Sequence, residues 1–206
     1  KFIFEQPNFV KGVTTLRFDQ IYHEHVSYFT VKNINSILKY NNLKILNVSN
    51  NNYHGGSIRT IATTKNSKSE FKKLKVLISN EKNRNIYKFK TYKVMMQKID
   101  EKKKKLLNVI SSYNDNGEVV CGIGAGAKSN TFLTYYGLNS KKIKFITDSS
   151  KLKQNKLTPV SRILIKDDME LKKFKKIFCL ILSWNINDLI IKKIKKINKN
   201  IRFINT

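Results

Sequence analysis

Residues 118–131 read EVVCGIGAGAKSNT, and this stretch decides the fold of the second half of the chain. Its apolar run predicts a buried strand, and the glycines that follow predict a tight turn into a helix that continues through Tyr136. Further strands are expected at 144–148, 177–182 and 201–204, with a helix that carries Ile190, Ile191, Ile194 and Ile197. Because strands that alternate with helices form parallel sheets with crossover helices, residues 114–206 are predicted to be a Rossmann-like parallel α/β domain.

The turn itself allows three interpretations. Glycine stands at 122, 124 and 126 but alanine at 127, so the G-x-G-x-x-G spacing of a dinucleotide fingerprint is not met. Asp148, at the end of the next predicted strand, lies at roughly the sequence distance expected for a ribose contact. Amides exposed at a helix N-terminus beside Lys128 can also hold a pyrophosphate. Anion binding, an NAD site and simple strand–helix packing therefore all stay open.

The first 66 residues are expected to form part of another α/β sheet. Phe2-Ile3-Phe4 predicts a buried strand that Pro7 stops, so Glu5 and Gln6 are placed at its end. Open α/β sheets present ligand-facing side chains just past the carboxyl ends of buried parallel strands. Glu5 and Gln6 are thus candidates for ligand contact, although a solvated strand end fits these residues equally well.

A helix and a hairpin follow in the same region. Thr30 is a plausible N-cap for a helix that runs to about Tyr40, with Ile34, Ile37 and Leu38 on one face. Strands at 43–48 and 57–64 with a polar connection predict an antiparallel hairpin that closes the edge of the sheet. The connection contains His54 and Gly55, where the backbone can turn sharply and approach a ligand closely.

Residues 67–113 are predicted to be a helical connector. Lysine dominates here, and glycine and proline are absent from 65 to 112. Two helices are expected, the second long, with one apolar stripe made of Ile86, Phe89, Tyr92, Met96, Ile99, Leu106 and Ile110. A stripe of this kind is typical of core packing.

The net charge is +27, from 41 Lys and Arg against 14 Asp and Glu. The excess is mostly lysine spread along the chain and accompanied by abundant Asn and Ile, which indicates a compositional bias and solvated helix faces. A nucleic-acid-binding module is disfavoured because aromatic residues are not interleaved on one basic face. No apolar run is long enough to span a bilayer, so no membrane partner is expected.

Cys121 and Cys179 lie in apolar runs outside any Cys-x-x-Cys pair. This predicts buried, reduced thiols in a cytoplasmic protein. The chain opens with KFIFE and without methionine, so we expect it to be a fragment.

Residues 18–29 read FDQIYHEHVSYF and hold two of the three histidines. Tyr22, His23, Glu24 and His25 bring several general acid–base groups together within four residues. Histidine titrates near neutral pH, which suits proton abstraction. A metal site made of His23, Glu24 and His25, with His54 as a further ligand, and a neutral surface loop are the alternatives.

Five blocks in this order resemble one family, the S-adenosylmethionine-dependent C-methyltransferases of deoxysugar biosynthesis. The blocks are FDQIYHEHVSYF at 18–29, HGGSIR at 54–59, GAGAKSNT at 124–131, KQ at 153–154 with TP at 158–159, and SWN at 183–185. The resemblance covers nearly the whole chain.

The resemblance implies a zinc-binding N-terminal domain, a central methyltransferase domain and a Rossmann-like C-terminal domain. This chain has no zinc cysteines and no glycine-rich methyltransferase loop before Phe2. It is similar to the last part of the central domain, with the strand at Phe2 as an inner or late strand of the methyltransferase sheet, followed by the C-terminal domain. A missing N-terminal methyltransferase half is therefore an expected partner.

The expected reaction is C-methylation of a nucleotide-linked keto-deoxysugar through an enolate, with S-adenosylmethionine as cofactor. Tyr22, Glu24 and His25 match the family's catalytic positions: His25 as base, Glu24 as its orienter or an alternative base, and Tyr22 as hydrogen-bond donor to the enolate oxygen. His23 is then structural or peripheral. Substrate contacts are expected from His54, Gly55, Lys128, Asn130, Lys153 and Thr158, cofactor contacts from Glu5 and Gln6, and no metal is expected.

Three positions depart from the family. Glycine is usual where Asn155 and Val160 stand, and frequent where Ser129 stands. These departures predict looser substrate binding or a changed substrate. The alternative functions are an NAD(P)-dependent oxidoreductase or a nucleotide-binding module that uses the turn Gly122–Gly126, although the histidines lie far from that turn in sequence.

Overall fold

The protein is a mixed α/β chain with two compact units. The computed structural model describes residues 1–52, 55–68 and 71–204. The first unit comprises Lys1–Phe18 and Glu24–Lys98, and the second comprises Asp19–His23 and Ile99–Thr206. The predicted division at 66/67 and 113/114 stays a prediction.

A three-stranded antiparallel sheet organises the first unit. Its strands are β1 (Phe2–Pro7), β2 (Leu43–Asn51) and β3 (Ser57–Thr64), in the order β1-β3-β2. The β2–β3 pair is the predicted antiparallel hairpin.

Strand β1 differs from its prediction in three ways. It pairs antiparallel with β3, not parallel in an open sheet, and it runs through Pro7, so Glu5 and Gln6 lie inside it. Phe2 and Ile3 are 56% and 60% exposed, so the predicted burial of this strand was wrong. Apolar β-branched and aromatic residues favour a strand wherever one face packs, and they do not specify its partner.

Residues of the helices Val31–Tyr40 and Leu74–Asn83 pack against this sheet. The first unit contains α1 (Phe9–Thr14), α2 (Val31–Tyr40), α3 (Leu74–Asn83) and the start of α4 (Phe89–Asp115). The Thr30 hydroxyl accepts the Asn33 amide at 3.2 Å, as expected of an N-cap. The core contains Val31, Ile34, Leu38, Ile45, Ile58 and Ala62.

One residue of α2 lies off its predicted face. The buried stripe of the helix is Val31, Ile34, Asn35 and Leu38. Ile37 falls beside this stripe and is 49% exposed.

The second unit is a five-stranded parallel sheet with crossover helices, as predicted. Its elements are β4 (Val120–Ile123), α5 (Ala127–Tyr136), β5 (Ile146–Thr147), β6 (Ile165–Lys166), β7 (Ile177–Ile181), α6 (Asn187–Ile197) and β8 (Ile201–Ile204). The strand order is β6-β5-β4-β7-β8. The order reverses between β4 and β7, which is where open α/β sheets form their ligand crevice.

Cys121 and Cys179 are paired across β4 and β7 in the core of this sheet. Both are free and buried, as predicted, and their sulfur atoms are 3.3 Å apart. Burial raises the pKa of the Cys121 thiol.

Helix α4 is 27 residues long and is the predicted long helix. Ile99, Leu106 and Ile110 of the predicted stripe are buried, but Met95 is buried where Met96 was expected, and Phe89 is 74% exposed. Among the described residues, no helix is long and apolar enough to cross a membrane.

Candidate active site

The loop that carries Tyr22, His23, Glu24 and His25 joins a short 3₁₀ helix, Phe18–Gln20, to α2. Tyr22 and His25 are half-buried, while His23 and Glu24 are exposed. Tyr22 and His23 belong to the second unit, and Glu24 and His25 belong to the first. The assigned roles of all four residues stay predictions.

Aromatic contacts orient both histidine rings. The centroids of the Tyr22 and His23 rings are 6.0 Å apart, with an interplanar angle of 74°. The His25 and Tyr28 rings are 6.2 Å apart at 77°. Tyr28 in turn lies 5.5 Å from Phe9, so His25 is backed by a small aromatic cluster of the first unit.

Asp19, three residues before Tyr22, is only 3% exposed. Its Oδ2 accepts a hydrogen bond from the indole Nε1 of Trp184. Trp184 begins a 3₁₀ helix that follows β7, and the Lys128 ammonium lies 5.3 Å from the centroid of its ring. Asp19 was missed as a functional candidate, although both it and Trp184 lie in blocks that resemble the family.

Glu5 is held by three neighbours of its own sheet. Its Oε1 accepts from the Asn51 amide at 2.6 Å and from the Ser57 hydroxyl, and its Oε2 accepts from the Arg59 guanidinium at 2.8 Å. These bonds, led by that of Asn51, lower the pKa of Glu5 to about 2. The carboxylate is therefore already committed to three donors.

Gln6 lies next to Glu5 in β1 and is half-buried. Its Nε2 is buried and has no hydrogen-bond partner among the described residues. Since neighbouring residues of a strand point to opposite faces, Glu5 and Gln6 do not form one binding surface.

The glycine-rich turn after β4 is filled by groups of its own unit. The Ala125 amide donates to Asp148 Oδ2 at 2.8 Å, and the Gly126 amide donates to Ser129 Oγ at 3.2 Å. Ser129, where the family often has glycine, thus caps α5. The two amides that would face a pyrophosphate already have acceptors.

The Asp148 carboxylate occupies the position at this turn where a bound anion would accept hydrogen bonds. It also accepts from the Ser150 amide at 2.9 Å and pairs with Lys153 at 3.2 Å. Burial raises the pKa of Asp148, but the Ala125 and Ser150 amides and Lys153 lower it, and the net pKa is below its usual value. An ionised carboxylate that fills the cradle disfavours a second anion there.

The predicted substrate residues are spread over several local networks. Thr158 is 1% exposed, shares a 2.6 Å hydrogen bond with Ser161 and accepts the Ile163 amide, which braces its own loop. Asn130 Oδ1 is buried and has no hydrogen-bond partner among the described residues. Gly55 has a φ of 88°, which favours glycine, and His54 lies outside the described residues.

A cavity of about 190 Å³ lies at the carboxyl end of the parallel sheet. Its lining includes Gly124, Thr147, Asp168, Ser183 and Lys193. The Thr147 hydroxyl is buried and has no hydrogen-bond partner among the described residues, and Lys193 pairs with Asp168 at 2.5 Å. The sequence did not indicate these polar residues as a group, because Thr147 ends β5, Asp168 and Ser183 follow β6 and β7, and Lys193 lies on α6.

Gly124 is required at the rim of this cavity. Its φ is 92°, and a Cβ at this position would collide with the Ser183 hydroxyl. The turn after β4 and the end of β7 are therefore in close contact at the rim of the cavity.

A larger cavity, of about 400 Å³, lies in the first unit. Its polar walls include Lys11, Asn50, Asn52, Glu81 and Arg84. Neither Glu5 nor Gln6 contributes to these walls, so the cavity was not anticipated from the sequence.

Comparison with known proteins places the chain in a family. Residues 52–205 match the family model described as the C-methyltransferase C-terminal domain. The chain is also 28% identical over 200 residues to the C-methyltransferase NovU of Streptomyces niveus, which covers 97% of this chain and 48% of that protein. The chain thus spans about half the length of this curated relative. With most of its length matched by that family model, the protein belongs to the C-methyltransferase family.

Proposed function

We propose that the protein acts in C-methylation of a nucleotide-linked keto-deoxysugar, with S-adenosylmethionine as methyl donor. The observation that carries this proposal is the match of residues 52–205 to the C-methyltransferase C-terminal domain. The half-buried Tyr22 and His25, in a loop rich in acid–base groups, supply the chemistry that such a reaction needs.

The proposed reaction begins with loss of a proton from the carbon next to the ketone. His25 takes this proton on an unprotonated ring nitrogen, because imidazole accepts protons near neutral pH. Negative charge then develops on the ketone oxygen, and the Tyr22 hydroxyl donates a hydrogen bond to it. Glu24 orients and stabilises the protonated imidazole. The proton is therefore held on His25 while the enolate of the sugar is methylated.

A nucleotide ring is proposed to enter the 190 Å³ cavity at the end of the parallel sheet of the second unit. A cavity of this size suits one ring of the substrate, because sites for whole drug-sized ligands are typically above about 300 Å³. The buried Thr147 hydroxyl, which has no hydrogen-bond partner among the described residues, can bond that ring.

The residues assigned to the methyl donor do not fit it. Glu5 already binds Asn51, Ser57 and Arg59, and Gln6 points to the opposite face of β1. S-adenosylmethionine would supply an electrophilic methyl group. We propose that a partner segment, equivalent to the half of NovU that this chain does not cover, binds the donor.

The alternatives have less support. An NAD site at the turn needs free amides and a free acidic residue, and Asp148 bonds one of these amides itself. Among the residues that the structure describes, no three His, Cys, Asp or Glu side chains are grouped so that they could hold a metal ion. His54, the further ligand considered, lies outside that part of the chain.

The test is methyl transfer by the complete gene product. The protein is incubated with isotopically labelled S-adenosylmethionine and a panel of nucleotide-linked keto-deoxysugars, and the sugars are analysed by mass spectrometry. Incorporation of label into one sugar at carbon is the expected result. Label found only at oxygen or nitrogen, or in none of the sugars, would overturn the proposal.

A further inference from the structure

We propose that Trp184 is a positioning residue for the candidate catalytic loop, which it holds through Asp19. Its catalytic consequence rests on the proposed function, whereas the anchoring itself does not. The hydrogen bond from Trp184 Nε1 to Asp19 Oδ2 joins residues 165 positions apart within the second unit.

Asp19 is suited to be an anchor because its carboxylate is buried. It is 3% exposed, and the neighbouring Gln20 is 7% exposed. A buried carboxylate is costly unless hydrogen-bond donors compensate it, and a bond to a charged acceptor is roughly twice as strong as a neutral one. The indole N–H is one donor that compensates this carboxylate, so its loss weakens the attachment of Asp19 to the parallel sheet.

Trp184 offers a rigid attachment point. It follows β7, whose five residues are all buried, and Ser183 packs against Gly124 at the end of β4. The Lys128 ammonium over the indole ring adds a cation–π contact. The indole is thus fixed on the central strands of the parallel sheet.

Movement of Asp19 is transmitted to Tyr22 over a short chain. Three residues span at most about 10 Å when extended, and Gln20 is buried along the way. A misplacement of about 1 Å at a reacting group lowers turnover by about a hundredfold. The anchor therefore acts on the position of Tyr22 without contacting the substrate.

The anchoring is tested first by hydrogen–deuterium exchange of the protein. Trp184→Phe keeps an aromatic ring but removes the donor, Asp19→Ala removes the acceptor, and Asp19→Asn keeps an acceptor oxygen of the same shape. Asp100→Ala is the matched control, because it removes a carboxylate that accepts from Tyr135 elsewhere in the second unit. We expect faster exchange at residues 19–23 in Trp184→Phe and Asp19→Ala only.

Fluorescence provides a second readout, because Trp184 is the only tryptophan. Asp19→Ala is expected to shift its emission maximum, and Asp19→Asn and Asp100→Ala to leave it near the unmodified value. Unchanged emission together with unchanged exchange in Asp19→Ala would overturn the anchoring.

The positioning role is tested by kinetics of methyl transfer in the complete gene product. Trp184→Phe is expected to lower kcat about a hundredfold, with KM for the sugar changed less than about threefold. Asp19→Asn should retain kcat within about tenfold, since a neutral acceptor keeps a weaker bond. Faster hydrogen–deuterium exchange with an unchanged kcat in Trp184→Phe would overturn the positioning role. An increase in KM with no decrease in kcat would overturn it as well. Absence of methyl transfer in the unmodified protein would overturn the proposed function and the catalytic consequence with it, and exchange alone would then decide the anchoring.

Discussion

Val160 adopts a φ of 59° and is 77% exposed. The left-handed region costs a non-glycine residue roughly 1–2 kcal/mol, and β-branched residues suffer most. The φ of Asn155 is 63°, and the resemblance to the family implied glycine at both positions. From the sequence, Asn155 and Val160 in place of glycine predicted looser substrate binding or a changed substrate. The structure shows that both residues adopt the left-handed backbone conformation, which is more costly for valine than for asparagine.

Val160→Gly is accordingly expected to stabilise the protein by about 1 kcal/mol, because relief of strain exceeds the added entropy of the unfolded chain. Asn155→Gly is the control and should be near neutral, since asparagine tolerates this region. Urea unfolding of the three proteins measures the difference. A Val160→Gly variant less stable than the unmodified protein would contradict a strained Val160.

Glu5 provides a pH-dependent prediction. Its pKa is lowered from 4.5 to about 2 in the folded protein, so its network adds stability above the unfolded pKa and loses it as pH falls through the folded value. The stability difference between the unmodified protein and Glu5→Gln should therefore be constant above about pH 5 and shrink between about pH 4.5 and 2.

Thermal unfolding across this pH range measures that difference. Asn51→Ala is the comparison, because it removes the largest contribution to the lowered pKa. In Asn51→Ala the pKa of Glu5 should lie closer to its usual value. The stability contributed by Glu5 should then be lost over a narrower pH range near that value. A difference that does not vary between pH 5 and 2 would show that the network does not lower the pKa of Glu5.

At the scale of elements, Glu81 links α3 to the start of α2. Its buried carboxylate accepts the Val31 amide at 2.6 Å and the Lys32 amide at 3.2 Å, and the Tyr87 hydroxyl donates to it. A carboxylate at a helix N-terminus accepts hydrogen bonds from amides that lack partners within the helix. Its negative charge also interacts favourably with the positive end of the helix dipole.

Glu81→Ala is expected to lower the free energy of unfolding by about 2–3 kcal/mol, since it leaves buried donors without an acceptor. Tyr87→Phe removes one donor and keeps the cap, so about 1 kcal/mol is expected. Burial and the Glu81 bond raise the pKa of Tyr87 to about 12, so this pKa should also fall in Glu81→Ala. Chemical denaturation and absorbance titration measure both effects, and equal stability of the two variants would refute the capping role.

Elements with a strong local pattern were predictable, and long-range partners were not. The Thr30 cap, the strand–turn–helix after 118 and the hairpin follow from nearby residues, and the structure has all three. The pairing of β1 and the capping of α2 by Glu81 join residues about fifty or more positions apart. β6 has only two residues, which is too short for a periodic signal.

At the scale of the whole molecule, the candidate site was partly predictable. The acid–base groups at 22–25 follow from residue types and from resemblance to a family. Asp19–His23 belong to the second unit, and the bond from Trp184 to Asp19 joins residues 165 positions apart, which no local pattern encodes. The hydrogen bond from the Ala125 amide to Asp148 was likewise not predictable, because the residue spacing alone fitted an NAD site, an anion site and simple strand–helix packing.

We propose that His25 removes a proton from a nucleotide-linked keto-deoxysugar. Proton removal can be measured without the methyl donor, as exchange of the hydrogen next to the ketone with deuterated water, followed by NMR. His25→Asn tests the base, and His23→Asn, an exposed neighbour in the same loop, is its matched control. The unmodified protein and His23→Asn are expected to catalyse this exchange. The exchange rate should be at least about a hundredfold lower in His25→Asn. Exchange at the unmodified rate in His25→Asn would contradict the proposal.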